Sequence, residues 1–308
     1  MWFKTIFRQR SNTTHEEPLF DEAFLRRLER LSLQAQRTLR GQPSGGEHAS
    51  RRQLPTSIFS DHRPYTSGDD MRYIDWNAYA RQDQILVKLG ETEQNVEVHL
   101  LLDTSHSMAW GQPPKLRSAQ QLIGALGYLA LAHHDRVRVM PFGAKITRPF
   151  GPIQGKGRLF DLFRYIEIAT LQPQTDLQAV LRLYARMHPR GGLLVLCSDL
   201  FSSSGLEEGL QTLQPPRWQV LVCHMLDTRE LRPDLQGPLE LEDSETGQRI
   251  PLTLDTETIT VYRQRMQAWQ QQIAMACGYH GATYVRMLSA WPVEQKIVPY
   301  LRARRLLV

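Results

Sequence analysis

The stretch from Val96 to Met108 limits what this chain can fold into more than any other part of it. It reads Val-Glu-Val-His-Leu-Leu-Leu-Asp-Thr-Ser-His-Ser-Met. The apolar run Val96, Val98 and Leu100 to Leu102 predicts a buried strand that ends on an aspartate. Asp103, Ser105 and Ser107 then alternate through a short polar loop, and a helical spacing begins at Lys115 with Leu116, Ala119, Leu122, Ile123 and Leu126. Strand, polar loop and helix open a doubly wound α/β domain, which places its ligands at the carboxyl ends of its strands. One carboxylate with two hydroxyls is a hard-oxygen set suited to Mg²⁺ or Mn²⁺, not to zinc.

The alternation continues downstream. Strands are expected over Asp135–Phe142, Gly192–Cys197, Trp218–Met225 and Thr283–Met287, with a short antiparallel strand over Lys145–Phe150. Helices are expected over Leu159–Ile168, Asp176–Met187, Leu206–Leu213 and Thr256–Cys277. Residues 227–255 break the rhythm with two alternating runs, Pro238–Glu242 and Gln248–Leu254, joined by a turn at Asp243-Ser-Glu-Thr-Gly247. Alternating strand and helix with short connections predicts a mostly parallel sheet with helices on both faces.

Upstream, a helix is expected from Asp21 to Arg40, followed by a turn-rich linker from Gly41 to Arg52. Ile85–Leu89 reads as a strand. Between Met71 and Trp76, Asp75 is expected to pair with Arg72 or Arg81 beneath Trp76, the alternative being a partner-binding surface. The expected organisation is an N-terminal helix and linker (1–52), a small β-rich flanking region (53–95), an α/β domain (96–290) with a hairpin insertion (227–255), and a basic C-terminal tail (291–308).

Charge narrows the partners. The net charge is +5, but residues 1–52 contribute +4 and residues 297–308 contribute +3, leaving the middle slightly acidic. The α/β core is therefore not a basic nucleic-acid surface. Cys197, Cys223 and Cys277 are far apart, odd in number and set in apolar runs, so they are expected to be core thiols of a reduced, cytoplasmic protein. No run of 18 apolar residues occurs, and the N-terminus lacks the features of a secretory signal. Residues 1–10 place Trp2, Phe3, Ile6 and Phe7 among Lys4, Arg8 and Arg10. At helical spacing they could contact a membrane surface peripherally; the plainer reading tucks two aromatics against the body or leaves a loose terminus.

Three loops converge on one candidate site. The first carries Asp103, Ser105 and Ser107; the second, Gln172 to Asp176, offers the Thr175 hydroxyl before a helix; the third offers Asp199 after the most apolar strand. Singly, each residue could be a helix cap or a strand-end turn. Together they resemble the metal-ion-dependent adhesion site of von Willebrand factor A-like domains. Further motifs extend the match: Arg63-Pro-Tyr65, Gly68-Asp-Asp-Met-Arg72, Ile74-Asp-Trp76 and Ala80-Arg81, then Glu93. With them, the chain resembles the domain-of-unknown-function 58 family over roughly residues 50–290. That resemblance implies a von Willebrand A-like fold and a Mg²⁺ (or Mn²⁺) site built from Asp103, Ser105, Ser107, Thr175 and Asp199. It also implies a partnership with a MoxR-type AAA+ ATPase in a chaperone-like system for protein maturation or cofactor insertion.

Enzyme classes fare less well. A phosphoryl-transfer enzyme using Asp103 as nucleophile wants a second carboxylate two residues on, where Ser105 stands. Gly151 to Gly157 is one residue short of a Walker loop and ends on Gly where Ser or Thr must hold Mg²⁺. No Gly-x-Ser-x-Gly occurs. The expected function is thus a non-enzymatic, metal-dependent protein-binding module whose ion accepts a partner's carboxylate, with a Mg²⁺-dependent hydrolase using Asp103 as the alternative.

Overall fold

The computed structural model describes residues 5–6, 18–30, 61–67, 69–82, 84–89, 96–143, 149–172, 176–201, 205–233, 237–243 and 249–297. They fall into two compact units, one of residues 1–35 with 96–308 and one of residues 36–95.

In the larger unit the elements begin with β1 (Thr5–Ile6) and α1, described over residues 22–30. A six-stranded sheet follows from β4 (Glu97–Asp103), β5 (Arg136–Phe142), β6 (Phe150–Ile153), β7 (Gly192–Ser198), β8 (Trp218–Leu226) and β11 (Thr283–Leu288). Its order is β11-β8-β7-β4-β5-β6, with only the edge strand β6 antiparallel. The chain thus builds outward from β4 to β6, crosses back to lay β7 on the other side of β4, and builds outward again. The strand order reverses between β4 and β7. Loops leaving those two strands diverge to opposite faces, and the crevice between them is where such sheets take ligands.

Both faces are covered, as the continuous apolar strands require. On one face Leu100 and Leu102 of β4 pack with α3 (Lys115–Ala132), α4 (Leu159–Glu167), and Phe24 and Leu28 of α1. On the other, Leu101 packs with α5 (Leu177–Met187), α6 (Leu206–Leu210) and the C-terminal part of α8 (Thr256–Tyr279). Successive residues of one strand serve opposite cores because strand side chains alternate. Helix α3 is buried along most of its length, and Gly127 lets it approach α4, since a Cβ there would stand 2.6 Å from Leu162. Each fully buried Leu in these layers contributes about 1.5–3 kcal/mol.

Within the described residues the expected helices and strands are present, with local differences; the end of the first expected helix (31–40), the linker 41–52 and the tail beyond 297 lie outside them. The antiparallel edge strand is Phe150–Ile153, not Lys145–Phe150; residues 144–148 lie outside the described set. Helix α6 stops at Leu210, three residues early, and Leu213 is buried in the turn that follows. The irregular segment holds the expected hairpin, β9 (Gly237–Asp243) against β10 (Arg249–Leu254), preceded by the short helix α7 (Thr228–Leu231). Thr5 and Ile6 pair with Asp243 and Glu242. At those two positions the chain is a strand, not the helical anchor considered above, because hairpin edge bonds satisfy its backbone. The fold also runs past residue 290, since Val293 is buried in the α3 core. All three cysteines are buried free thiols. No helix among the described residues is long and apolar enough to cross a membrane.

In the smaller unit β2 (Asp61–Pro64) pairs antiparallel with β3 (Leu86–Leu89), and α2 (Trp76–Gln82) lies between them in sequence. Arg72 forks onto Asp70 at the surface, Asp75 accepts the N–H groups of Asn77 and Ala78, and Trp76 is 61% exposed. Asp75 stands immediately before a helix, where unpaired backbone donors are the nearest partners for a short carboxylate.

Candidate metal centre

Asp103 ends β4 and is almost wholly buried. Its Oδ1 accepts the Ser105 N–H at 2.9 Å, and its Oδ2 accepts the Ser198 hydroxyl at 2.5 Å. The first bond is an Asx-type turn that folds the loop back over the strand end. It brings the Ser105 and Ser107 hydroxyl oxygens to 3.0 Å from each other, both side chains buried. Thr104 turns away and donates both its N–H and its hydroxyl to the Phe142 carbonyl, tying the loop to the end of β5. The Gln172 N–H donates to the Thr104 carbonyl at 2.7 Å, drawing the segment before α5 alongside. Thr175 itself lies outside the described residues. The N-cap of α5 is Asp176, which accepts the Ala179 N–H at 3.0 Å.

Asp199 follows β7 directly. Its Oδ1 accepts the Phe201 N–H at 3.2 Å, and between them Leu200 adopts the left-handed region at φ 57°. A non-glycine residue held there costs about 1–3 kcal/mol, and such strain gathers at functional sites. Ser198 helps to hold it, because its oxygen also accepts the Leu200 N–H at 3.0 Å. The Asp199 carbonyl accepts from Nε2 of His224, whose Nδ1 accepts the Tyr284 hydroxyl at 2.8 Å. Burial pushes the His224 pKa down to about 3, so the ring is neutral and its single proton is the one given to Asp199.

The residue that pattern reading overlooked is Lys115. It opens α3, and its ammonium is fully buried, donating to Asp199 Oδ2 at 2.8 Å and to Glu230 Oε1 at 2.6 Å. The Phe201 ring lies 4.8 Å from it. Burial disfavours its charge, yet the two carboxylates hold its pKa above the ordinary value. Glu230 is fixed in turn by a reciprocal cap on α7: its Oε2 accepts the Asp227 N–H at 2.7 Å. Asp227 accepts from Arg229 and from the Gln112 N–H. The capping box Asp227-x-x-Glu230 was legible in sequence, but nothing there linked Glu230 to a lysine 115 positions earlier.

Around the crevice, Asp103, Asp199, Glu230 and Asp227 face two cations, Lys115 and Arg229. Ionised, the set carries two unbalanced negative charges. Burial first, and then the Asp199 charge, push Asp103 well above the usual carboxylate range. A divalent cation would relieve that repulsion, and the donors around this crevice, two carboxylates and two serine hydroxyls, are hard oxygens of the kind Mg²⁺ and Mn²⁺ take. The residues present therefore fit such an ion, with Lys115 already engaged on one of its carboxylates.

Comparison with known proteins decides the family. The model of the family described as "Protein of unknown function DUF58" matches residues 61–273. The chain belongs to the DUF58 family. The matched span runs from β2 into α8 and includes all five residues of the expected metal set. Among relatives, the uncharacterized protein Rv1480 of Mycobacterium tuberculosis is 25% identical over 268 residues, covering 84% of this chain and 83% of its own length. Among solved structures, the conserved hypothetical protein BatB from Bacteroides thetaiotaomicron is 18% identical with a TM-score of 0.43, covering 69% of this DUF58 chain and 100% of its own. An aerotolerance-related membrane protein from Bacteroides fragilis is 19% identical with a TM-score of 0.43, covering 68% and 98%.

Proposed function

We propose that this DUF58 protein is a non-enzymatic, metal-dependent protein-binding module of the von Willebrand A-like kind. The observation that carries the reading is the convergence of Asp103 and Asp199, with the Ser105 and Ser107 hydroxyls, at the point where the strand order reverses. Asp103, Ser105, Ser107 and Asp199 would hold Mg²⁺ (or Mn²⁺), with Thr175 as a fifth ligand. The ion would supply an open coordination position for a carboxylate from another protein. The chain's own part is to hold these oxygens rigidly: Ser198 and the Ser105 N–H orient Asp103, while Lys115 and the Phe201 N–H orient Asp199. Because position 105 is a serine bonded to Ser107, no second carboxylate stands ready as a general acid in that loop. The resemblance noted for the family makes a MoxR-type AAA+ ATPase, or its client, the partner proposed.

Titration of the metal-free chain with Mn²⁺, followed by electron paramagnetic resonance, tests the ion. We expect one bound Mn²⁺ that Asp103→Ala and Asp199→Ala each weaken at least about tenfold, both variants remaining folded by circular dichroism although Asp199→Ala, which strands Lys115, loses stability. Equal affinity in all three proteins would reduce the constellation to caps and turns. Calorimetry with the ATPase, with Mg²⁺ and then with chelator, tests the bridge. Metal and partner should strengthen each other by the same factor. Metal-dependent phosphatase or nucleotidase turnover that disappears in Asp103→Ala would replace this reading with a hydrolase.

A further inference from the structure

A second set of ligating side chains lies at the other end of β4, about 20 Å from Asp103 at ~3.3 Å per residue. Glu97 begins the strand, His99 follows on the same face, and His188 is the C-cap of α5, which packs over that face. A carboxylate oxygen of Glu97 and one nitrogen from each ring lie within 4.8 Å of one another. Packing explains part of this cluster. His99 is fully buried, its Nδ1 shares a hydrogen bond of 2.7 Å with the Tyr184 hydroxyl, its Nε2 lies 3.4 Å from the Gly191 carbonyl, and its ring meets Trp218 edge-on. Two features remain unexplained. The Nε2 of His188 is closed off from solvent and has no hydrogen-bond partner among the described residues. Glu97 gives one oxygen, Oε1, to Arg138, which leaves Oε2 available. Buried polar atoms are almost always paired, and an exception calls for an ion or a water.

We propose that Glu97, His99 and His188 form a transition-metal site that takes Zn²⁺, separate from the all-oxygen centre at Asp103. Two imidazoles and a carboxylate suit zinc, which binds three such protein ligands with a fourth position left to water. The same set is poorly matched to Mg²⁺, just as the oxygen set at Asp103 is poorly matched to zinc. Zinc would replace the longer of the two His99 contacts, Nε2 to the Gly191 carbonyl, and leave Nδ1–H to donate to the Tyr184 hydroxyl, the role outer partners play around ligating histidines. Arg138 shares the Glu97 carboxylate and so moderates the affinity. An ion held here would tie the first residues of the central strand to the end of α5.

The test uses the full chain, stripped with chelator and titrated with Zn²⁺ by calorimetry, and with Co²⁺ by visible absorption. One zinc per chain is expected, with Co²⁺ bands typical of a four-coordinate nitrogen–oxygen site. His188→Gln should weaken binding at least about tenfold and abolish the bands, Arg138→Gln should tighten it, and Asp103→Ala should leave it unchanged. Absence of stoichiometric zinc, or equal binding in His188→Gln, overturns the proposal. Loss in Asp103→Ala with retention in His188→Gln also overturns it, by placing the zinc at the other centre. If His188→Gln fails to fold, Glu97→Gln carries the same comparison, since its side chain is partly exposed.

Discussion

At the residue scale the decisive side chain is Lys115. A lysine with no solvent contact is stable only because Asp199 and Glu230 neutralise it, and those acids are buried only because the lysine is there. Removing one member of such a group strands the others. Lys115→Met is expected to lower the unfolding free energy by ~3–5 kcal/mol, measured by urea denaturation. The double variant Lys115→Met/Glu230→Gln should regain part of that loss by deleting one stranded charge. If Lys115→Met is as stable as the parent, the ammonium is not the counter-charge that the geometry assigns it.

At the scale of elements, the site is a matter of what each strand end and helix start does with its backbone. The loop after β4 is closed by Asp103 on Ser105, and α7 by Asp227 with Glu230. The start of α5 is closed by Asp176. Capping by Asp176 matters to the metal reading, because it assigns the N-cap task beside Thr175 to another residue. Asp176→Ala is expected to cost about 1 kcal/mol of stability, the worth of a lost N-cap, and to leave Mn²⁺ affinity unchanged. A variant that loses Mn²⁺ in parallel with stability would make the capping geometry part of the site itself.

The whole molecule carries a pH dependence set by groups at both ends of the sheet. Burial pushes His99 down to about 4 and His224 down to about 3, against an ordinary value of 6.5. Folded values below unfolded ones mean that the unfolded chain binds the extra protons. The stability from these two rings is therefore complete above pH 6.5 and falls as the pH drops toward 4, by about 1 kcal/mol per unit for each ring. Asp103 works in the opposite sense. Its raised folded value means that the folded chain holds a proton which the unfolded chain has released, so its contribution grows as the pH falls. In chelator, urea denaturation between pH 7 and 5 should show a net loss on acidification, and Asp103→Asn should steepen it by removing the opposing carboxyl. A parent profile without slope, or a variant no steeper than the parent, would contradict this balance.

Much of this was determined by the sequence alone. The run from Val98 to Leu102 is apolar at every position but His99, as a short strand buried on both faces requires, and Asp103 and Asp199 mark strand ends because the apolar runs stop there. The spacing of Leu, Ile and Ala in α3 and of Leu177, Val180 and Leu181 in α5 declared those helices for the same reason: local periodicity is a local property. Tertiary structure decided the rest. Lys115 and Glu230 are 115 residues apart, and no periodicity reports that one neutralises the other. Ser198 reads as the tail of a strand until the sheet order sets its hydroxyl on Asp103. Glu97 and His99 look like polar interruptions until α5 brings His188 over them. Patterns of burial are written along the chain, whereas the pairing of charges and ligands depends on which strands become neighbours, and the crossing back from β6 to β7 made that choice here.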